Sequence, residues 1–249
     1  MRKLIFTFIV TYLFISSATA LEQKYVYLVE PVIKAFQNND KKSLSNHIAY
    51  PLNRPKPLPP IKNKTDFIAK FDDVFDKKLI RLVSNSSIEK DWSSVGSRGI
   101  MLENGLLWLN DKGKIKALNY ESIAENKLRK FISLKQKNTL HKSIRNFKSP
   151  ILEWETKKFH LRIDDIGSGN YRYTSWPIDK SPSETPSLIL YDGVRKFEGS
   201  GGNHSYIFTN GKYSYHCSVN VLGADDTPGS LSVYKGNKLL LSEEVIKEF

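Results

Sequence analysis

The stretch Asn63-Lys-Thr-Asp-Phe-Ile-Ala-Lys-Phe-Asp-Asp-Val-Phe75 carries the strongest helix signal in this chain of 249 residues. Asn63 precedes Asp66 by three residues, which is a variant of the capping box that starts many helices. The apolar residues that follow recur at helical spacing and define one face: Phe67, Ile68, Phe71, Val74, Phe75 and Leu79. We therefore predict an amphipathic helix that packs this face on a core.

Two further helices are predicted on the amino-terminal side of this stretch. Apolar residues between Val26 and Phe36 recur with the helical period, and Pro31 either kinks that helix or starts it. A short helical segment over residues 41–50 follows and is ended by Pro51. The loop over residues 51–60 is too rich in proline for a helix or a central strand, so we expect it to be extended.

Beyond the quoted stretch the hydrophobic period changes from helical to alternating. We predict a strand over Leu79–Val83 and then three short apolar runs joined by glycine-containing turns. The runs are Gly99–Leu102, Leu106–Asn110 and Lys114–Asn119. Turns that end in glycine are good hairpin signals. Helix, helix, helix and then an antiparallel meander predict an α+β fold in which the helices cover one face of the sheet.

A second, all-β region is predicted after a basic connector at residues 121–150, which we expect to be helical in part. The predicted strands are Phe159–Ile163, Tyr171–Trp176, Ser187–Leu190, Ser205–Phe208, Tyr213–Val221, Leu231–Tyr234 and Lys238–Leu241. Seven short strands at close spacing are typical of a small β-sandwich or barrel. We therefore expect an α+β domain at 21–120, the connector at 121–150 and a β-domain at 151–249.

The first of these regions resembles exported bacterial proteins of the NTF2-like, cone-shaped α+β class. The resemblance covers roughly residues 24–120, and it is carried by the Tyr50-Pro51-Leu52 step, the helix over residues 67–75 and the stretch Arg98-Gly-Ile-Met-Leu-Glu-Asn-Gly-Leu-Leu-Trp-Leu109. It implies a fold and a compartment. Because the class hosts enzymes as well as binding modules, it implies no catalytic residue.

The first twenty residues have the pattern of a cleavable secretion signal. Arg2 and Lys3 precede the apolar run Leu4–Ile15, and Ala18-Thr-Ala20 supplies the small residues that a signal peptidase recognises. The run is shorter than the roughly 20 apolar residues that a spanning helix needs. We expect cleavage before Leu21, a periplasmic or secreted mature protein and no transmembrane segment.

The chain is strongly basic, with a formal net charge of +12 that falls to +10 if Arg2 and Lys3 leave with the signal. The connector holds eight lysines and arginines against two acids, Glu121 and Glu125. Such a segment attracts anionic surfaces, although we favour a solvated linker. Aromatic residues occur within it only at Phe131 and Phe147, so no single-strand nucleic-acid platform is expected.

Catalytic, metal and cofactor signatures are weak. The five histidines share no ligand spacing and there is a single cysteine, so neither a metal site nor a cofactor is expected. Cys217 alternates with Tyr213, Tyr215 and Val219, which favours a buried thiol on a strand. The neighbouring His216 would then face the opposite side of the strand and would not act as its base.

The candidate binding site lies in the second region. The glycine-rich segment 199–204 is neither a nucleophile elbow nor a phosphate loop, and it is interpreted as a turn or as an exposed binding loop. We predict that it binds a partner together with nearby aromatic side chains. The predicted site residues are Asn203, His204, Tyr206, Tyr213, Tyr215 and Trp176.

Together these features predict a non-enzymatic, exported binding or inhibitory module that recognises an envelope protein, a toxin or a glycan. The alternative is a cell-envelope hydrolase that uses a pocket of the α+β cone. A buried polar pocket with a perturbed histidine or carboxyl pKa would favour the enzyme. An exposed aromatic patch would favour the binding module.

Overall fold

A computed structural model describes residues 23–199, 202–221 and 227–249. The amino-terminal part of these residues is helical. The helices are α1 Gln23–Gln37, α2 Lys41–Asn46, α3 Lys64–Val74, α4 Lys77–Ser84, α5 Ile88–Asp91 and, further along the chain, α6 Ile123–Thr139. The predicted secretion signal lies outside the described residues.

The quoted stretch forms α3, as predicted, but of the predicted apolar face Ile68 is 41% exposed and Leu79 lies on the next helix. The side chain of Asn63 accepts a hydrogen bond from the backbone N–H of Asp66 at 2.9 Å and caps the helix. Phe67, Phe71 and Phe75 are buried with their ring centroids 5.2 to 5.5 Å apart. Aromatic rings at these distances pack edge to face or stacked, and here they fill the space beneath the helices.

The strand that we predicted over Leu79–Val83 is wrong, because these residues form α4. Asp76 comes directly after the quoted stretch and caps the new helix. Its side chain accepts hydrogen bonds from the backbone N–H groups of Lys78 and Leu79. Leu79 and Val83 are four residues apart, and both are fully buried on the core side of α4. A five-residue apolar run fits a strand or a helix, and here the cap selects the helix.

A four-stranded antiparallel sheet follows the helices. Its strands are β1 Trp92–Ser94, β2 Ile100–Leu102, β3 Leu107–Leu109 and β4 Ile115–Leu118, in that order across the sheet. Three of them fall within the predicted apolar runs, and β1 was not predicted. The helices and this sheet share one core that includes Phe36, Trp92 and Leu107, so the mixed α+β class is confirmed.

The second sheet contains nine strands, each antiparallel to its neighbours. They are β5 Ser149–Glu155, β6 Phe159–Gly167, β7 Asn170–Pro177, β8 Leu188–Phe197, β9 His204–Asn210, β10 Tyr213–Val219, β11 Gly229–Lys235, β12 Lys238–Glu244 and β13 Lys247–Glu248. The spatial order is β12-β11-β10-β9-β8-β7-β6-β5-β13. Each of the seven predicted runs overlaps one of these strands, with Ser187 and residues 220–221 falling just outside, and β5 and β13 were not predicted.

The sheet curls until its last residues meet its first strand. Glu244 pairs with Ser230 on β11, and two residues later the N–H of Ile246 donates to the carbonyl of Glu155 on β5 at 2.8 Å. Side chains from strands across the whole sheet therefore pack in one interior. Trp154 of β5, Tyr173 of β7 and Phe208 of β9 are among them. The described strands thus form one curled antiparallel sheet around a shared core, and the finer assignment to a sandwich or a barrel stays a prediction.

The part of the connector that follows α6 is attached to the curled sheet. Arg172 on β7 donates to the carbonyl oxygens of Ile144 at 2.7 Å and Asn146 at 3.0 Å. The same guanidinium pairs with the buried Asp164 at 2.6 Å, and Arg162 pairs with the other carboxylate oxygen at 2.8 Å. Burial raises the pKa of Asp164, whereas the two guanidiniums lower it. The segment after α6 is thus held on the curled sheet by hydrogen bonds and by a buried ionic cluster.

Candidate functional site

The predicted residues Asn203 and His204 lie where β9 begins, at one end of the curled sheet. The side-chain oxygen of Asn203 accepts a hydrogen bond from the backbone N–H of Val221 at 2.8 Å. This bond ties the approach to β9 to the residues that follow β10. The Nδ1–H of His204 donates to the carbonyl of Gly202 at 2.8 Å, which fixes the ring at the edge of the sheet interior.

His204 stands in a continuous row of rings. Its centroid is 5.8 Å from that of Phe197 on β8 and 5.3 Å from that of Tyr206, and the ring of Tyr206 lies 4.9 Å from Tyr171. Phe197 reaches this row because it pairs with His204 across β8 and β9. The guanidinium carbon of Arg195 lies 4.7 Å from the centroid of Phe197, within the range of a cation–π contact.

This end of the sheet is exposed on one side and buried on the other. Phe197 is 59% exposed and Val221 is 55% exposed, whereas Tyr206 is buried. Burial raises the pKa of Tyr206, and a hydrogen bond from Arg195 opposes that rise. We call the set Tyr171, Arg195, Phe197, His204, Tyr206 and Val221 the rim. Phe197 and Arg195 were not among the residues proposed from sequence.

Four of the six predicted site residues are not part of the rim: Asn203, which is hydrogen-bonded to Val221 beside it, and Tyr213, Tyr215 and Trp176. Tyr213 pairs with Asn210, whereas His204 pairs with Val219 at the other end of the same ladder. Six residues of extended strand separate these ends by about 20 Å. Tyr215 points into the sheet interior, with its ring 5.7 Å from that of Tyr173. Whether the glycine-rich loop and these tyrosines bind a partner stays a prediction.

Trp176 lies on the convex side of the sheet, away from the rim. Its side chain is 1% exposed and packs with Leu140, Ile144 and Phe147 of the connector. Its indole N–H donates to the carbonyl of Glu184 at 3.0 Å. The tryptophan therefore contributes to the contact between the connector and β7.

The single cysteine is buried in the sheet interior. Cys217 has no exposed surface, and burial raises the pKa of its thiol. His216 lies on the opposite face, where its Nε2 is 3.1 Å from the Oγ of Ser214. Burial and the charge of Lys196 lower the pKa of His216. Within residues 23–199, 202–221 and 227–249, no three His, Cys, Asp or Glu side chains are grouped to hold a metal ion.

A cleft of about 550 Å³ lies between the proline-rich loop and the first strand of the curled sheet. Lys56 and Leu58 line one side, and Glu153 and Glu248 line the other. The carboxylates are already engaged, Glu153 with Arg162 at 2.8 Å and Glu248 with Lys56 at 3.3 Å. Asn53, Lys62 and Gln136 also line the cleft, so it offers polar as well as apolar contacts to a ligand.

A second exposed surface lies on α6, within the segment that was predicted as a basic connector. Its large exposed apolar side chains are Ile123, Leu128, Phe131 and Leu134. Three exposed lysines, Lys127, Lys130 and Lys135, lie among them. The lysines and Phe131 were noted from the sequence. Which side of the helix faces outward could not be predicted, because it depends on contacts with residues far away in the sequence, such as Arg54.

Comparison with protein-family models, with curated proteins and with solved structures found no match to this chain. The NTF2-like resemblance of the first region therefore stays a prediction. Among the helices of the described residues, none is both long enough and apolar enough to span a bilayer.

Proposed function

We propose that this chain is an exported, non-enzymatic binding module and that it recognises a protein partner through the rim. The observation that carries the proposal is the position of Phe197. This ring is 59% exposed, yet it is held between the guanidinium of Arg195 at 4.7 Å and the ring of His204 at 5.8 Å. An exposed aromatic side chain that is already ordered loses little conformational entropy when a partner covers it.

The composition of the rim supports a protein partner. Tyrosine, arginine and phenylalanine are enriched at the centres of protein interfaces, and a few such residues usually dominate the binding energy. Val221 adds exposed apolar surface. It lies close to Gly202, because a Cβ atom placed on Gly202 would be 3.5 Å from Cγ1 of Val221. Loops and strand ends on a rigid β scaffold commonly carry recognition.

Charge favours a partner with an acidic surface. Arg195 is exposed on the rim side of β8, and the exposed Lys196 lies next to it on the opposite face of the strand. The nearby carboxylate of Glu198 accepts a hydrogen bond from Ser205 at 2.5 Å and is engaged within the sheet. With a formal net charge of +12, or +10 once Arg2 and Lys3 leave with the predicted signal, the chain would be drawn to acidic proteins and would repel strongly basic ones.

The proposal is tested by comparing two matched variants, Phe197→Ala at the rim and Tyr213→Ala at the opposite end of the β9–β10 ladder. A partner is first captured from an envelope extract by a photo-crosslinking residue at position 221, then purified and titrated against each protein. Truncation of a central contact should weaken binding about fivefold or more, while Tyr213→Ala should bind like the wild type.

Thermal unfolding of both variants serves as the folding control. Equal affinity of wild type and folded Phe197→Ala would overturn the proposal. Capture of a polysaccharide in place of a protein would also overturn it, because the rim would then serve a glycan.

A further inference from the structure

The outward face of α6 combines apolar and basic side chains in an unusual way. Seven large side chains stand on it: Ile123, Lys127, Leu128, Lys130, Phe131, Leu134 and Lys135. Ile123 is 74% exposed and Phe131 is 66% exposed, which is high for residues of their size. Four large apolar side chains on one exposed helix face form a patch that a soluble protein normally covers.

No carboxylate stands on this face. Glu125, the one acid within α6, points inward and is buried against Arg54 with an Oε2–Nη2 distance of 2.6 Å. Glu121 precedes the helix and pairs with Arg129, with an Oε1–Nε distance of 2.5 Å. The helix therefore neutralises none of the charge of Lys127, Lys130 and Lys135 with its own acids.

We propose that α6 lies flat on the surface of an anionic phospholipid bilayer, with its apolar side chains in the interface and its lysines against lipid phosphates. This inference is independent of the rim. A helix of 17 residues is about 25 Å long, enough for its four apolar side chains to enter one leaflet side by side. Basic amphipathic helices that combine lysines on a polar face with Phe and Leu on an apolar face lie in the interface in this way, and on α6 the lysines flank and separate the apolar side chains.

The arrangement of the lysines favours lipid over a protein partner. The lysines lie between the apolar residues along the helix. A protein that covered this face would therefore bury the lysines at the centre of the interface and remove their water. Interface cores are depleted in lysine for that reason. At a bilayer the long lysine side chain extends along the apolar surface and keeps its ammonium at the phosphate level, so the same arrangement is favourable.

The helix is also mounted rigidly. Ser122 caps its amino terminus through a hydrogen bond from the N–H of Glu125 at 3.0 Å. The buried pair with Arg54 fixes its inward face on the proline-rich loop. Many membrane-binding segments must fold as they bind, whereas this face is already formed before contact.

The test is co-sedimentation of the full chain, without its predicted signal, with two kinds of vesicle. One kind is phosphatidylcholine alone, and the other is an equimolar mixture of phosphatidylcholine and phosphatidylglycerol. We expect binding to the anionic vesicles that weakens as salt is added, and little binding to the neutral ones. Equal binding to both kinds, or binding to neither, would overturn the proposal.

Two variants of the face separate its two components. Phe131→Ser/Leu134→Ser removes apolar area, and Lys127→Gln/Lys130→Gln/Lys135→Gln removes charge. Each should lower the partition coefficient onto anionic vesicles by about tenfold or more. The matched controls are Leu239→Ser/Leu240→Ser, two exposed leucines of β12, and Lys77→Gln/Lys78→Gln/Lys112→Gln, three exposed lysines outside α6.

The controls should bind like the wild type, and a control that loses as much binding as its α6 counterpart would contradict a specific role for α6. A Phe131→Trp variant measures insertion directly. Its added fluorescence should shift to shorter wavelength on anionic vesicles and be quenched by brominated lipid. An unshifted, unquenched spectrum would show that the side chain stays in water and that the helix does not enter the interface.

Discussion

Arg54 and Glu125 form a two-pronged buried ion pair that joins the proline-rich loop to α6 across 71 residues of sequence. The Nε–Oε1 distance is 2.7 Å, the Nη2–Oε2 distance is 2.6 Å, and the side chains are 1% and 4% exposed. Arg54 also donates to the carbonyl oxygens of Leu118 and Tyr120, so its donors are well satisfied. This pair holds the inward side of α6 against the proline-rich loop.

We expect Glu125→Gln to destabilise the protein by about 3 to 5 kcal/mol, because the buried guanidinium of Arg54 would lose its counter-charge. The matched control is Glu121→Gln, which weakens the partly exposed pair between Glu121, just before α6, and Arg129 on it, whose side chains are 26% and 28% exposed. A pair of that kind contributes about 1 kcal/mol or less. Urea unfolding measures both, and similar losses in the two variants would show that burial does not distinguish the pairs.

Local signals in the sequence account for the elements that were predicted correctly. Asn63 and the spacing of Phe67, Phe71 and Phe75 specify α3 without reference to the rest of the chain. The run at Leu79–Val83 was assigned wrongly because its length fits either period. The deciding residue is Asp76, whose side chain caps α4.

The candidate surfaces were harder to predict because they depend on non-local pairing. Phe197 joins His204 only through the register of β8 and β9, and sequence does not give that register. The same holds for α6: its lysines are visible in the sequence, but the contact of its inward side with Arg54, 71 residues away, is not. Aromatic residues alternating on strands, such as Tyr213 and Tyr215, were placed together in sequence but point to different surroundings in the fold.

The stability of the protein should fall as the pH drops below about 7, partly through His216. Burial and Lys196 lower the pKa of His216 in the fold, and Glu198 opposes them. The unfolded chain therefore binds a proton at His216 at a higher pH than the folded chain does. His47, whose pKa is lowered by burial and by Lys114, contributes with the same sign.

Urea unfolding at about pH 7.5 and about pH 5.5 tests this linkage. The difference in unfolding free energy should shrink in His216→Gln and shrink further in His47→Gln/His216→Gln. A difference that is unchanged in the double variant would place the acid sensitivity on other groups.

Cys217 should be unreactive in the folded protein. Its side chain is fully buried in the sheet interior, and burial raises the pKa of the thiol, so little of the reactive thiolate forms. Iodoacetamide followed by mass spectrometry should show no label under native conditions and one label in concentrated urea. Rapid labelling of the native protein at a rate independent of urea would contradict the buried position.

Gly193 should tolerate no side chain, since an added Cβ would lie 2.1 Å from Cε1 of Phe208. Phe208 is fully buried and packs against Tyr173 at 5.6 Å, so it has little room to move aside. Overpacking of this kind costs about 1 to 3 kcal/mol. We therefore expect Gly193→Ala to lower the free energy of unfolding by that amount, whereas Val194→Ala at the exposed neighbouring position should change it little.

A second-site variant distinguishes the steric cause from a backbone cause. Phe208→Leu removes the atoms that the new methyl group would meet, so Gly193→Ala should be less costly in the Phe208→Leu background than in the wild type. The two substitutions are in contact and should therefore couple by about 0.5 kcal/mol or more in a double-mutant cycle. Strict additivity would mean that the loss in Gly193→Ala comes from the backbone of β8, and the assigned packing of Gly193 against Phe208 would then be incorrect.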